Sequence, residues 1–151
     1  MSSKIAECLA TFFYVGRFPV APGSLASLVG VLIYLIFWGQ GNFYLAVSVL
    51  VTLAGFWAAG KVEKLSGEND PGCVVIDEVA GVLTAFFLLP PTIPVIFTAF
   101  FLFRAFDMFK IYPIDKTEEI PGSTGIMLDD LLAGLYTNIV MQAAIRIAGM
   151  S

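Results

Sequence analysis

The stretch LASLVGVLIYLIFWGQGNFYLAVSVLVTLAGFWAAGK, residues 25–61, decides the fold class. It holds two apolar runs, Leu25 to Trp38 and Phe43 to Ala59, parted by the turn signal Gly39-Gln40-Gly41-Asn42. Its first charged residue is Lys61. Neither run alternates apolar and polar residues, so both read as helices rather than strands. In lipid, a crossing segment must satisfy its own backbone hydrogen bonds, which again favours helices. Leu25 to Trp38 is shorter than the roughly 20 residues of a perpendicular span. Its polar flank lengthens it, or the bilayer thins around it.

Three more apolar runs follow toward the C-terminus. One starts near Val74, carries Asp77 and Glu78 in its first turns, and reaches Leu89, where Pro90-Pro91-Thr92 breaks the chain. The next, Ile93 to Met108, has Arg104 and Asp107 in its last turns. The last, Ile126 to Ala148, has Asp129 and Asp130 near its start. Toward the N-terminus, Ile5 to Val15 carries Glu7 and lacks the small-residue cleavage site of a secretory leader, so it reads as a short amphipathic or re-entrant helix. The expectation is an all-α, polytopic membrane protein. About five helices make four to five spans, with the short N-terminal helix beside them, and residues 1–151 form a single domain.

Composition agrees. Hydrophobic residues make up 58% of the chain and charged residues 13%, and the mean hydropathy is +0.88. Soluble domains carry about 25% charge, so the bilayer must cover much of this exterior. A net charge of −4 provides no basic stripe for nucleic acid. The two cysteines, Cys8 and Cys73, make no disulfide framework.

Threading the runs back and forth segregates the charges. The turns at Gly39 to Asn42 and Pro90 to Pro94 hold none; of the 8 Lys and Arg only Arg146 lies toward their face, and all 12 acids lie at the other. The Lys/Arg excess marks that other face as cytoplasmic, where the cysteines stay reduced.

Four segments converge there: 16–24, 70–78, 103–113 and 122–130. Ionisable residues within an apolar helix are expensive and point to function. Asp77, Glu78, Asp107, Asp129 and Asp130 would repel one another in a low dielectric, and Arg104 and Lys110 offset only part of that. A divalent cation offsets the rest, and an all-oxygen set suits magnesium. With no histidine in the chain, zinc is disfavoured. Purely structural roles also exist. Asp77, Glu78, Asp129 and Asp130 complement helix dipoles, while Arg104 snorkels or pairs with Asp107. Gly23 and Ser24 open a helix, Ser24 as an N-cap, and the free N–H groups there suit phosphate. Arg17, Arg104, Lys110 and Lys116 add cationic contacts.

The absence of histidine excludes histidine-dependent phosphatases. Neither cysteine has an arginine six positions on, which disfavours a cysteine phosphatase, and no Gly-x-Ser-x-Gly elbow is present. Metal-assisted attack on phosphorus remains, by water or by a carboxylate such as Asp77 or Asp129. A transporter would need polar groups distributed across the membrane, yet one face is bare apart from Arg146. A scaffold would not need five acids in its helix ends.

These same residues carry a resemblance. The stretches PVAPGSLASL (19–28), DPGCVVIDEVAG (70–81), FRAFDMFK (103–110) and GIMLDDLLAG (125–134) resemble the phosphatidylglycerophosphatase A family. The chain departs from the family pattern at Ser24, where threonine is usual, at Ala26, where glycine is usual, and at Ile111, where proline is usual. The resemblance implies a magnesium-dependent, multi-pass enzyme of the bacterial inner membrane with its active site facing the cytoplasm. Such an enzyme removes the terminal phosphate of phosphatidylglycerophosphate in phospholipid biosynthesis. Asp77, Asp107, Asp129 and Asp130 are the expected catalytic residues, and with Glu78 the metal ligands. Arg104, Lys110, Arg17, Ser24 and Gly23 are expected to hold phosphate, with Asp70 a lesser candidate.

Overall fold

The computed structural model describes residues 2–149, and every regular element among them is helical. The helices are α1 (Ser2–Ala10), α2 (Pro22–Phe37), α3 (Gly41–Ser66), α4 (Ile76–Ala85), α5 (Ile93–Phe109), α6 (Ile114–Thr117) and α7 (Ser123–Ile147), with a 3-10 turn at Val15–Arg17. The five apolar runs become α2, α3, α4, α5 and α7.

Helix ends follow local chemistry and, in places, depart from expectation. The N-terminal helix stops at Ala10 rather than Val15. Phe12, Phe13 and Tyr14 all adopt positive φ, and the Thr11 hydroxyl accepts the Tyr14 N–H at 3.0 Å. Gly16 then lies flat on the Cys73 carbonyl, where any side chain would overlap. Helix α2 begins at Pro22, whose locked φ and missing N–H suit a first helical position. Ser24 is therefore not an N-cap; it lies inside the first turn, behind Ala21 and Pro22. Helix α3 runs past Ala59 to Ser66, because strong helix formers follow and the first effective stop is Gly67. Gly67 has φ +72, and its N–H closes on the Glu63 carbonyl at 3.0 Å.

Helix α4 is the hub. It packs against α2, α3, α5 and α7, and eight of its ten residues are buried. Glycines permit the close approach. A β-carbon on Gly81 would stand 2.7 Å from the Asp130 carbonyl oxygen of α7, and one on Gly30 of α2 would stand 2.9 Å from Val82. Backbones this near gain dispersion contacts along their length.

The helix stops at Ala85, well short of Leu89, and the chain runs on as coil through Thr92. Side chains of other helices answer the carbonyls so exposed. Asn138 donates to Ala85 O at 3.0 Å and to Phe87 O at 2.7 Å, Tyr34 donates to Leu89 O at 2.7 Å, and Trp38 reaches the same oxygen at 3.3 Å. Tyr44 donates to Leu83 O. Buried polar backbone without such partners would cost several kcal/mol, roughly 1–3 for each group.

The two ends of the bundle differ as the threading predicts. The α2–α3 turn, Leu88 to Pro90 and Arg146 meet at one end, and the carboxylates gather at the other. Between them the exterior is apolar: Leu32 and Ile36 on α2, Leu50 and Leu53 on α3, Phe97 and Phe101 on α5, and Ile139 on α7 are all exposed. Among the described helices α3 is long and apolar enough to cross a membrane, whereas α2 is apolar but has 16 residues.

Candidate active site

Four helices and one loop build a cavity of about 170 Å³ at the charged end. The first turn of α4 supplies Asp77 and Glu78, and the last turns of α5 supply Asp107 and then Lys110. Helix α7 supplies Asp129 and Asp130, the 70–75 loop supplies Asp70, and Gly23 brings in the start of α2. All five expected metal ligands and Asp70 therefore line one cavity. Gly23 is there for space, since any β-carbon would overlap the Glu78 carboxylate.

Position separates the structural readings from the functional ones. Asp77 and Glu78 do sit in a first turn and complement the dipole of α4. Asp129 and Asp130 do not. Helix α7 begins at Ser123 and has no acid in its first turn, so the dipole has faded where they stand. Asp130 is nevertheless only 3% exposed. Asp107 lies at the C-terminal end of α5, the unfavourable pole for an acid.

Ion pairs hold part of the cluster. Arg104 Nη1 donates to Asp107 Oδ2 at 2.8 Å and to Glu78 Oε1 at 3.4 Å. Lys110 Nζ donates to Asp129 Oδ2 at 2.8 Å and also meets Glu118. The second oxygen of Asp129 is held by the Thr117 hydroxyl. Thr117 sits on α6 within the polar 110–125 stretch, and sequence reasoning passed over it because no local pattern ties position 117 to position 129. Burial works against the charge on Lys110, but its bonds to Asp129 and Glu118 prevail and raise its pKa above the ordinary lysine value. At the loop, burial first and the charges of Asp129, Glu118 and Asp107 next push the Asp70 carboxyl up, with Lys110 opposing.

Three expected phosphate contacts lie elsewhere. Arg17 is mostly exposed and paired with Glu7, Lys116 is exposed and 3.4 Å from Glu119, and Ser24 is not among the residues lining the cavity. Arg104 stands behind the carboxylates as their partner.

Six carboxyl groups thus face Lys110, with Arg104 behind. Asp77 Oδ1 and Glu78 Oε2 are buried with no hydrogen-bond donor, a costly state for a carboxylate oxygen. Among the described residues no three acids already stand at metal-ligand spacing. The donor set itself, all oxygen with two unengaged atoms, fits a hard divalent cation.

A family model described as phosphatidylglycerophosphatase A matches residues 8–145. The chain belongs to the phosphatidylglycerophosphatase A family. It is a phosphatase, and the four converging segments are those by which it resembles this family. Two relatives named phosphatidylglycerophosphatase A are 34% identical over 89% of this chain and 85% of the protein in Haemophilus influenzae, and 32% identical over 85% of this chain and 77% of the protein in Escherichia coli. A Bacteroides thetaiotaomicron protein named as a putative phosphatidylinositol-3-phosphatase is 37% identical over 97% of this chain and 98% of its own length. No solved structure matches the chain.

Proposed function

We propose that residues 1–151 act as one membrane-embedded domain that hydrolyses phosphatidylglycerophosphate to phosphatidylglycerol and inorganic phosphate, with magnesium required. The cavity carries this reading: six carboxyl groups, two of them with unengaged buried oxygens, gathered where an apolar exterior ends. Its volume accommodates a phosphate group and a few waters of about 30 Å³ each, and leaves acyl chains outside. The Haemophilus and Escherichia relatives support the substrate. The exposed apolar side chains of α2, α3, α5 and α7 support a reading in which these four helices cross the bilayer and α4 crosses together with the non-helical segment that follows it. The Lys/Arg excess at the carboxylate end supports a cytoplasm-facing site in the inner membrane.

In this mechanism Asp77, Glu78, Asp107, Asp129 and Asp130 would hold magnesium, which when bound would neutralise phosphate charge and acidify water. The chain's own groups do the rest. Lys110 presents an ammonium to the phosphate oxygens, and the N-terminal end of α4 aims its dipole at the same place. Arg104 keeps Asp107 and Glu78 turned inward. Either water attacks phosphorus directly, or Asp77 or Asp129 attacks and water then hydrolyses the acyl phosphate, so that in both routes water supplies the fourth oxygen of inorganic phosphate and the carboxylate is regenerated. The phosphorus–oxygen bond to the glycerol breaks, and the leaving oxygen takes up a proton that is in balance the one lost by the water.

A second substrate reading is favoured by the Bacteroides relative: a lipid carrying a phosphate monoester on inositol. Phosphate release by the purified protein from each lipid, with magnesium and with EDTA, tests both readings. Release from phosphatidylglycerophosphate that stops in EDTA and returns with magnesium is expected. Full release in chelator ends the metal mechanism, and release from the inositol lipid alone transfers the assignment to it.

A further inference from the structure

At the end opposite the carboxylates a cavity of about 620 Å³ opens between the α2–α3 turn and the last turns of α7. That volume lies within the range of small-molecule sites, roughly 300–1,000 Å³. Tyr34, Tyr44 and Phe86 line it deep in the bundle, Trp38 forms a wall, and Arg146 lines it from the C-terminal turn of α7. The side-chain donors of Tyr34, Trp38 and Gln142 are already engaged with the carbonyls of Leu89 and Phe87. Among side-chain donors, recognition of an anion is left to one guanidinium set among apolar walls. Arg146 is the only lysine or arginine at this end, and among the described residues no carboxylate pairs with it.

We propose that this cavity binds an anionic phospholipid of the leaflet opposite the catalytic cavity, its acyl chain against the aromatic floor and its phosphate on Arg146. The inference rests on the membrane reading given above. A guanidinium matches phosphate oxygens two at a time. Aromatic rings beside an apolar interior are the usual furniture of the bilayer interface. Arg146 takes no part in the catalytic cavity, so binding here is separable from turnover.

Trp38 is a built-in reporter. The chain has two tryptophans, and Trp57 lies toward the other end with the Lys61 ammonium 5.4 Å from its ring. A Trp57→Phe variant, reconstituted in phosphatidylcholine vesicles containing acyl-brominated phosphatidylglycerol or acyl-brominated phosphatidylcholine, isolates quenching of Trp38. The anionic lipid is expected to be preferred about fivefold, the preference one arginine near an anionic headgroup confers. Arg146→Gln should reduce the ratio to parity, Arg146→Lys should keep most of it, and phosphatase activity should be unchanged in both. Equal quenching by the two lipids in the Arg146 protein means surrounding lipid only and overturns the site. So does a preference that survives Arg146→Gln. No quenching by either lipid places Trp38 outside the bilayer and overturns the membrane reading together with the site.

Discussion

Replacing Gly81 by alanine tests whether the contact between α4 and α7 sets the catalytic geometry. The new β-carbon would stand 2.7 Å from the Asp130 carbonyl oxygen and 2.8 Å from the Phe103 ring. The ring can swing, but the carbonyl belongs to the α7 backbone and cannot. Restoring an ordinary contact requires α7 to retreat by about 0.7 Å, a small overpacking that costs on the order of 1–3 kcal/mol. Asp129 and Asp130 ride on that segment while Asp77 and Glu78 stay with α4, so the cavity widens by the same amount. Misplacing reacting groups by about 1 Å costs on the order of 100-fold in rate. Gly81→Ala should therefore lose tens of times or more in phosphate release, with a modest fall in unfolding temperature measured on the same preparation. Adding Phe103→Leu should not rescue it, because the carbonyl contact persists. Gly41→Ala, whose β-carbon would meet nothing within 4 Å, serves as the control. Wild-type turnover in folded Gly81→Ala refutes the argument, as does rescue by Phe103→Leu.

Three further outcomes are expected. Asp77→Asn and Asp129→Asn keep shape and remove charge, and each should lower phosphate release at least about 100-fold while the protein stays folded; near-wild-type rates in folded variants would sink the carboxylate mechanism. Thr117→Val should lower kcat with little change in KM, since it frees one oxygen of Asp129, and Thr117→Ser should restore it; an equal loss in both variants would mark a packing role. Tags at Gln40 and Thr92 should report the periplasm and a tag at Gly67 the cytoplasm, and a cytoplasmic report from Gln40 would break the threading.

The sequence made the helical runs and the acid cluster visible because both are written locally. Apolar runs bounded by Gly39, Pro90 and similar breakers map onto α2, α3, α5 and α7, and Asp77, Glu78, Asp107, Asp129 and Asp130 meet because successive helices run in opposite directions and bring the start of α4, the end of α5 and the early turns of α7 to one end of the bundle. What escaped was non-local. Helix α4 stops at Ala85 because donors on α2, α3 and α7 answer its trailing carbonyls, and nothing between Val74 and Leu89 encodes those donors. Arg17 looked available for phosphate, yet Glu7, ten positions earlier, takes it. Ser24 resembled a cap, but Pro22 starts the helix two residues sooner. Thr117 carries no motif and becomes meaningful only once α6 lies on α7.

The donors that quiet the end of α4 also set a timetable for biosynthesis. Asn138 is separated from Ala85 by 53 positions, which at ribosomal rates of about 5–20 residues per second is a delay of roughly 3–10 s. During that interval α4 has emerged with bare carbonyls and a buried-type face carrying Asp77 and Glu78, without the α7 partners that answer them. Until α7 arrives, cover for this segment can come only from helices made earlier, α2 and α3 first among them. The candidate site is thus completed in one late event, when α7 brings Asn138 to one end of α4 and Asp129 and Asp130 to the other.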